Sequence, residues 1–279
     1  MPARAPLKSA LSARFSDAPT LPPLDNGGAD TLAAMAARGS CRAFTDAPVA
    51  PALLDMLSAV ALAAPTKSDL QQRDIIQLRS PEQRRALAAL VGGQSWVADA
   101  PMIVMFCGNN RRQRLIHDWQ DVPFANDHLD AFFNAATDAA IALGAFVTAA
   151  EAVGLGCCPI SAVRNEAAQV ADLLHLPDHV FPFAGLALGY PKAPPKIAMR
   201  LPLCVTCHVD TYQEDALQSH VATYDAARAA AQPYGTQRAM ARFGTADPYT
   251  WSTDKVRQYS APERADFGAY VRRIGFNLD

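Results

Sequence analysis

Arg38-Gly39-Ser40-Cys41-Arg42-Ala43-Phe44 holds two arginines on either side of a serine, just past a short predicted helix and ahead of a proline-led element. In an extended segment alternate side chains leave the backbone on the same side, so Arg38, Ser40 and Arg42 point together. Two guanidinium forks and a hydroxyl on one side match a phosphate monoester, because guanidinium pairs with phosphate oxygens bidentately and stays charged. On its own the segment is read better as a solvated arginine pair after a helix. A second cationic stretch shifts the reading toward an anion site. Leu188-Gly189-Tyr190-Pro191 closes an apolar run and leads to Lys192, Lys196 and Arg200-Leu201-Pro202. A strand running into such a turn can deliver positive charge to the same phosphate.

The rest of the composition narrows what that anion can be. The 279 residues carry 25 Lys and Arg against 27 Asp and Glu, a formal charge of −2. That balance gives no general attraction to nucleic acid or to an anionic membrane, so a basic site has to be local and aimed at a small anion. Half of the residues are apolar and 19% are charged, which supports a proper core and argues against global disorder. Residues 1–26 contain Arg4, Lys8, Arg14 and several prolines but no continuous apolar segment, so a secretory signal is not expected in them. They are expected to be a loose leader or an arm on a neighbour. The apolar run 139–150 is too short to span a bilayer and is followed by Glu151. Six cysteines show no secreted disulfide framework, and a soluble cytoplasmic protein is expected.

Periodicity predicts helices over 31–38 with Asp30 as cap, over 51–62 with Pro51 in the first turn, and after Ser80-Pro81 up to Gly92-Gly93. Residues 74–78 read as a short strand. Pro101 to Cys107 is continuously apolar, as in a central strand buried on both faces. A long alanine-rich helix over 127–153, stopping at Gly154, is apolar nearly all round and is expected to be buried, in part at a subunit interface. Further strands are expected at 155–160, 180–188 and 203–209. Helices are expected at 166–174, 213–231 and 262–274. The class is α+β, a modest sheet with antiparallel pairs wrapped by helices.

Five motifs in order resemble the FMN-dependent nitroreductases, in the NADPH-dependent subgroup of oxygen-insensitive nitroreductases and flavin reductases. The opening segment looks like that subgroup's HRSIRxF. Gly92-Gly93-Gln94 with Val97-Ala98 looks like GGQxxVAxA. Val153-Gly154-Leu155-Gly156 with Val163-Arg164-Asn165 is similar to LGLGxxxxGxLRN. Residues 188–202 have the length and ends of LGWP…PRLP, and Thr250-Trp251-Ser252 matches TWS. The resemblance runs from about Thr31 to the C-terminus. It implies a nitroreductase-like central mixed, mainly antiparallel sheet with a long buried dimer-interface helix. The implied organisation is a flexible extension (1–29), an FMN-binding domain (30–231) and a C-terminal arm and helix (232–279) packing on the core or the partner subunit.

The resemblance also implies a site. Arg38, Gly39, Ser40 and Arg42 hold FMN, with Arg200 joining them at the phosphate and polar tail. Gln94 faces the flavin ring edge. Pro159, Ile160, Ser161 and Ala162 run along the ring and offer a backbone N–H to N5. Thr66, Lys67 and Ser68 belong to a loop reaching a flavin across a homodimer interface. The implied activity is ping-pong hydride transfer from NADPH or NADH, through FMN, to a small electron-poor acceptor such as a nitroaromatic, a quinone or free flavin. A specialised member, such as a reductive dehalogenase or a flavin-modifying enzyme, and a flavin-binding protein without turnover are the alternatives. Two departures stand out. Ser161-Ala162 replaces a Gly-Gly, and Ala198 replaces a lysine, for which Lys196 or Lys67 can substitute as the cation near the flavin's N1 and O2. Arg238 and Arg242 are candidates for NADPH selection, although a solvated loop is the favoured reading of both.

Cys204-Val205-Thr206-Cys207-His208 has the form of a c-type haem attachment site. It falls within the strand expected at 203–209, where the cysteines read as small buried hydrophobes. Cys157-Cys158 reads as packing. Histidines 117, 128, 175, 179, 208 and 220 make no metal-ligand pattern with the carboxylates, and Gly154-Leu155-Gly156 is too sparse for a dinucleotide fingerprint.

Overall fold

Short, largely apolar runs lay down the strands, and the computed structural model, which describes residues 4–22, 28–92 and 94–279, pairs four of them into one sheet. In chain order the first helices are α1 (Arg4–Arg14), α2 (Ala29–Ala37) and α3 (Pro51–Leu62), followed by strand β1 (Arg73–Leu78). Next come α4 (Pro81–Leu90), α5 (Ser95–Ala98), β2 (Met102–Asn109), α6 (Arg111–Trp119) and α7 (Leu129–Ala152). Then follow β3 (Gly156–Ile160), α8 (Ala167–Leu173) and β4 (Val180–Gly189). The last part holds α9 (Leu203–Thr206), α10 (Leu217–Ala231), α11 (Met240–Phe243), α12 (Trp251–Gln258) and α13 (Phe267–Arg273). By contacts the chain forms two compact units: Met1–Gly39 with Lys196–Glu263, and Ser40–Pro195 with Arg264–Asp279.

The second unit contains the sheet, in the order β1-β2-β4-β3. Each of its three described pairings is antiparallel, so the expected mixed character is absent among the described residues. β2 is buried along its whole length, as its unbroken apolar run requires. Met102, Val104 and Phe106 face one side with Leu186, Leu188 and Cys157, against α3 and α7. Ile103, Met105 and Ala187 face the other side, with Leu87, Val97 and Val170 of α4, α5 and α8. The result is a helix–sheet–helix sandwich. Between Phe106 and Cys107 the register slips, pairing Phe106 with Ala184 and Cys107 with Pro182. Pro182 has no N–H to give the ladder, and the bulge is where a central strand tolerates it.

α7 ends as its sequence predicts. Gly154 takes φ +84°, and the Leu155 N–H returns to the Ala150 carbonyl at 3.0 Å, a Schellman closure. The helix is buried on one face only, through residues such as Ala135, Asp138, Ala142 and Phe146. Phe133 on its outward side is 62% exposed. By length and composition α7 is apolar enough to cross a membrane, but its inward face packs on the sheet.

Several expectations are corrected. Gly28, not Asp30, stands at the cap of α2, and Asp30 lies in its first turn, where a carboxylate faces the helix's positive end. The expected loose leader contains α1, which buries Leu7 and Ala10 one turn apart. The strand expected at 203–209 is the short helix α9. Asp17 takes the Leu203 and Cys204 N–H groups at 2.8 and 2.9 Å, starting a helical turn in place of a ladder. α6 and α12 fall where no helix was expected, and α13 begins at Phe267 rather than at Pro262.

Candidate functional site

In the second unit, residues 40–45 lie along the ends of β3 and β4. The Cys41 N–H donates to the Cys157 carbonyl at 2.9 Å, and the Thr45 N–H to Tyr190 at 2.8 Å. Phe44 bridges to Pro191, and the Lys192 N–H reaches Ala43 at 3.0 Å. Gly156 permits this approach: a Cβ there would lie 2.7 Å from the Cβ and Sγ of Cys41. Of the alternation expected for Arg38, Ser40 and Arg42, Ser40 and Arg42 are exposed on either side of buried Cys41, and Arg38 is half-buried.

Arg42 places its guanidinium over Trp96, 5.6 Å from the ring centroid. Trp96 lies in α5, whose N-cap position is Gln94. Cys41, Phe44, Val97, Ile160 and Val163 share one buried core, with Trp96 and Ala162 packed against it. The structure therefore gathers the segments of Arg42, Gln94 and residues 159–162 around one cluster. Pro159 and Ser161 are exposed on either side of buried Ile160. Gly93 of the expected Gly92-Gly93-Gln94 motif lies outside the described residues.

Thr66, Lys67 and Ser68 are held elsewhere in this unit, on α7. Asp138, wholly buried, accepts the Lys67 N–H at 2.9 Å and the Gln72 N–H at 2.8 Å. Arg73, also buried, donates to the carbonyls of Leu62, Ala64 and Pro65 at 2.7–2.8 Å. Between these anchors Ser68, Asp69 and Gln71 take positive φ, a strained state that persists where surroundings over-determine it. A cavity of about 260 Å³ opens beside Lys67 and Ser68.

Arg38, Gly39 and Arg200 belong to the first unit, where Arg14 of α1 links them. Arg14 Nη2 donates to the Arg38 carbonyl at 2.5 Å, and the Arg14 carbonyl accepts the Arg200 N–H at 2.8 Å. Arg14 Nη1 reaches the carbonyl of Ala198 at 3.2 Å, the position where a lysine was missed. Lys196 and Lys67 are both exposed. Arg200 lines a cavity of about 570 Å³ with Arg228, Lys255, Tyr224, Tyr234 and Trp251. Thr250-Trp251-Ser252 supports this region locally. Thr250 caps α12 by accepting the Thr253 N–H at 3.2 Å, Trp251 packs edge-on to Tyr224, and the Ser252 N–H donates to Asp225 at 3.0 Å.

Arg238 is tied to buried Asp254 at 3.1 Å, whereas Arg242 Nη1 donates to the Ser260 carbonyl at 2.7 Å. The other expectation corrected here concerns cysteines. Cys204 and Cys207 are exposed, not buried hydrophobes. Cys157 and Cys158 are buried, in keeping with packing. Burial pushes the Cys107 thiol up to about 12 and raises that of Cys41, so both remain protonated at neutral pH. The roles of Arg14, Asp138 and Arg228 escaped the sequence reading, since none of the three belongs to a motif.

Residues 35–190 match the Nitroreductase family, and residues 199–279 match the Nitroreductase family, C-terminal domain. The chain belongs to the nitroreductase family. It is 37% identical over 189 residues to an FMN reductase [NAD(P)H] of Bacillus subtilis, covering 67% of this chain and 76% of that one. Its fold matches the structure of NfrA2 from B. megaterium with a TM-score of 0.81 at 30% identity, over 89% of this chain and 98% of the other. It also matches the NADPH:FMN oxidoreductase of Vibrio harveyi complexed with NAD+, with a TM-score of 0.73 at 29% identity, over 88% of this chain and 97% of that one.

Proposed function

We propose that this chain is an FMN-dependent NAD(P)H oxidoreductase working as a homodimer. The observation that carries the reading is the single core that gathers Cys41, Phe44, Val97 and Ile160, and with them the segments of Arg42, Gln94 and residues 159–162. The residues present fit FMN. Arg42 and Ser40 stand exposed on a fastened segment, and Pro159 and Ser161 offer an exposed rim beside it. Bound FMN supplies hydride transfer between NAD(P)H and an electron-poor acceptor, in two half-reactions.

The protein's part is to bind and orient. Arg38, Ser40 and Arg42 hold the phosphate and polar tail with Arg200, and Gly39 keeps that stretch free of a side chain. Gln94 directs hydrogen bonds at the ring edge. Ile160 fixes the segment in the core, so that Pro159, Ser161 and Ala162 form the wall of the flavin pocket. Thr66, Lys67 and Ser68 reach the flavin of the partner subunit, and the Asp138 anchor keeps that loop in shape. Product protonation falls to solvent. Exposed Cys204 and Cys207 thiols persist most readily in a reducing compartment, which supports a cytoplasmic location.

One absorption experiment tests this. Purified protein should be yellow, with flavin bands that bleach on anaerobic addition of NADPH and return when a quinone is added. A colourless protein, or flavin bands indifferent to NADPH and NADH, overturns the reading.

A further inference from the structure

Arg200 and Arg228 converge on one oxygen. Nη1 of each donates to the Met199 carbonyl, at 3.4 Å from Arg200 and 3.3 Å from Arg228. Neither forms an ion pair with a described carboxylate. Two guanidinium groups beside one carbonyl repel each other unless an anion joins them, because the carbonyl offers only partial negative charge. Arg228 has further capacity to spare: its Nε is buried and makes no hydrogen bond. It is held in place by a bond to Tyr224 Oη at 3.1 Å and by the ring of Tyr234, 5.2 Å from its guanidinium carbon.

The same cavity, about 570 Å³, is walled by Tyr234 and Trp251 and has no Asp or Glu among its described lining residues. Lys255 and Arg14 also line it, but the Lys255 ammonium is matched by Asp254 at 2.8 Å and the Arg14 guanidinium is spent on the carbonyls of Ala36, Arg38 and Ala198. That leaves two arginines whose charge no carboxylate balances, in a space large enough for a ring system as well as an anion. A dianion with an aromatic group attached satisfies both features.

We propose that Arg228 works with Arg200 to bind the phosphate monoester of a nucleotide in this cavity. The proposal rests on the oxidoreductase reading above, which offers two such esters: the 5′-phosphate of FMN and the 2′-phosphate of NADPH. Guanidinium forks suit either, and the aromatic walls suit the attached ring. A monoester at neutral pH carries close to two negative charges, matching the two arginines.

The test compares apoprotein of the parent, Arg228→Gln and Arg228→Lys by calorimetric titration with four probes: FMN, riboflavin, 2′-AMP and adenosine. Arg228→Gln should weaken one phosphate-bearing probe by about ten- to a hundredfold, as for loss of a charged hydrogen bond, and leave its phosphate-free counterpart unchanged. Arg228→Lys should fall between. Loss confined to FMN assigns the flavin phosphate; loss confined to 2′-AMP assigns the dinucleotide. Should Arg228→Gln unfold, Arg228→Lys carries the comparison, with a several-fold loss expected. Equal losses within each pair, or none in folded protein, overturn the proposal. If the parent itself is colourless and inert toward NADPH, it is the oxidoreductase reading that fails; a yellow, NADPH-bleachable parent whose Arg228 variants bind like it refutes this inference alone.

Discussion

Asp138, in the middle of α7, takes the backbone N–H of Lys67 at 2.9 Å and, through its other oxygen, that of Gln72 at 2.8 Å. One buried carboxylate thus spans the loop whose Ser68, Asp69 and Gln71 sit at positive φ. Asp138→Ala leaves both N–H groups without their acceptor. Lys67 is exposed and water can replace its bond, but Gln72 is buried, so the cost is about 1–3 kcal/mol and falls mainly there. Asp138→Asn keeps one acceptor oxygen and should lose less. Urea unfolding measures the stability, and FMN titration should show weaker flavin binding in Asp138→Ala because the loop loses its shape. Unchanged FMN affinity would detach this loop from the flavin site.

Gly156 sets the distance between β3 and the Arg42 segment. A methyl group there lies 2.7 Å from both Cβ and Sγ of Cys41, closer than side chains approach. Gly156→Ala therefore pushes residues 40–42 outward at a cost of about 1–3 kcal/mol. Adding Cys41→Gly removes the opposing Cβ and should recover part of the FMN affinity that Gly156→Ala loses. Without such recovery, steric pressure on Cys41 is not what links Gly156 to the flavin.

Acid should loosen the first unit through Asp254. Burial acts to raise its pKa, but hydrogen bonds from Lys255 and Tyr249 and the charges of Lys255 and Arg238 outweigh this and hold it below the usual 3.8. A carboxyl depressed in the folded state contributes stability that is complete above its unfolded value, about 3.9, and is lost as pH falls through the folded value. Asp254→Asn should be less stable than the parent at pH 7, with the gap closing as pH falls below the unfolded value and through the folded one. Urea midpoints from pH 2 to 7 record this, and a gap independent of pH rules out the carboxylate's charge as its source.

What the sequence made legible and what it concealed divide along physical lines. β2 was readable because a strand buried on both faces must be apolar throughout, and the end of α7 because Gly154 is suited to positive φ. The shared exposure of Ser40 and Arg42 was readable because alternate side chains of an extended backbone leave on one side. Residues 203–209 misled because alternation of apolar residues cannot reveal that Asp17, far earlier in the chain, caps Leu203 and Cys204 and turns them into α9. α12 was hidden for a similar reason: Thr250-Trp251-Ser252 was read as a motif when Thr250 also caps a helix. The roles of Arg14 and Arg228 could not be read because they depend on carbonyls brought close by folding. The flavin-facing residues came from resemblance in ordered motifs, and only the cluster around Ile160 shows why three of those segments keep company.

The outward side of α7 bears on assembly. Phe133, Ala140, Gly144 and Thr148 are exposed at spacings of seven, four and four, so they share one stripe, and it carries no charge. Thr148 turns its hydroxyl back to the Gly144 carbonyl at 3.1 Å, leaving the stripe without a polar group that demands water. A Cβ at Gly144 would meet nothing within 4 Å in the chain. Gly144→Leu therefore has room in the protomer and should favour the helix by about 0.5–1 kcal/mol. If this stripe lies in the homodimer interface, the same side chain fills space that the partner subunit occupies. Sedimentation velocity should then show the parent as a dimer and Gly144→Leu shifted toward monomer, with FMN lost on dilution at concentrations where the parent retains it. A Gly144→Leu dimer that keeps its flavin would place the interface elsewhere, and a parent that sediments as a flavin-loaded monomer would remove the homodimer from the reading altogether.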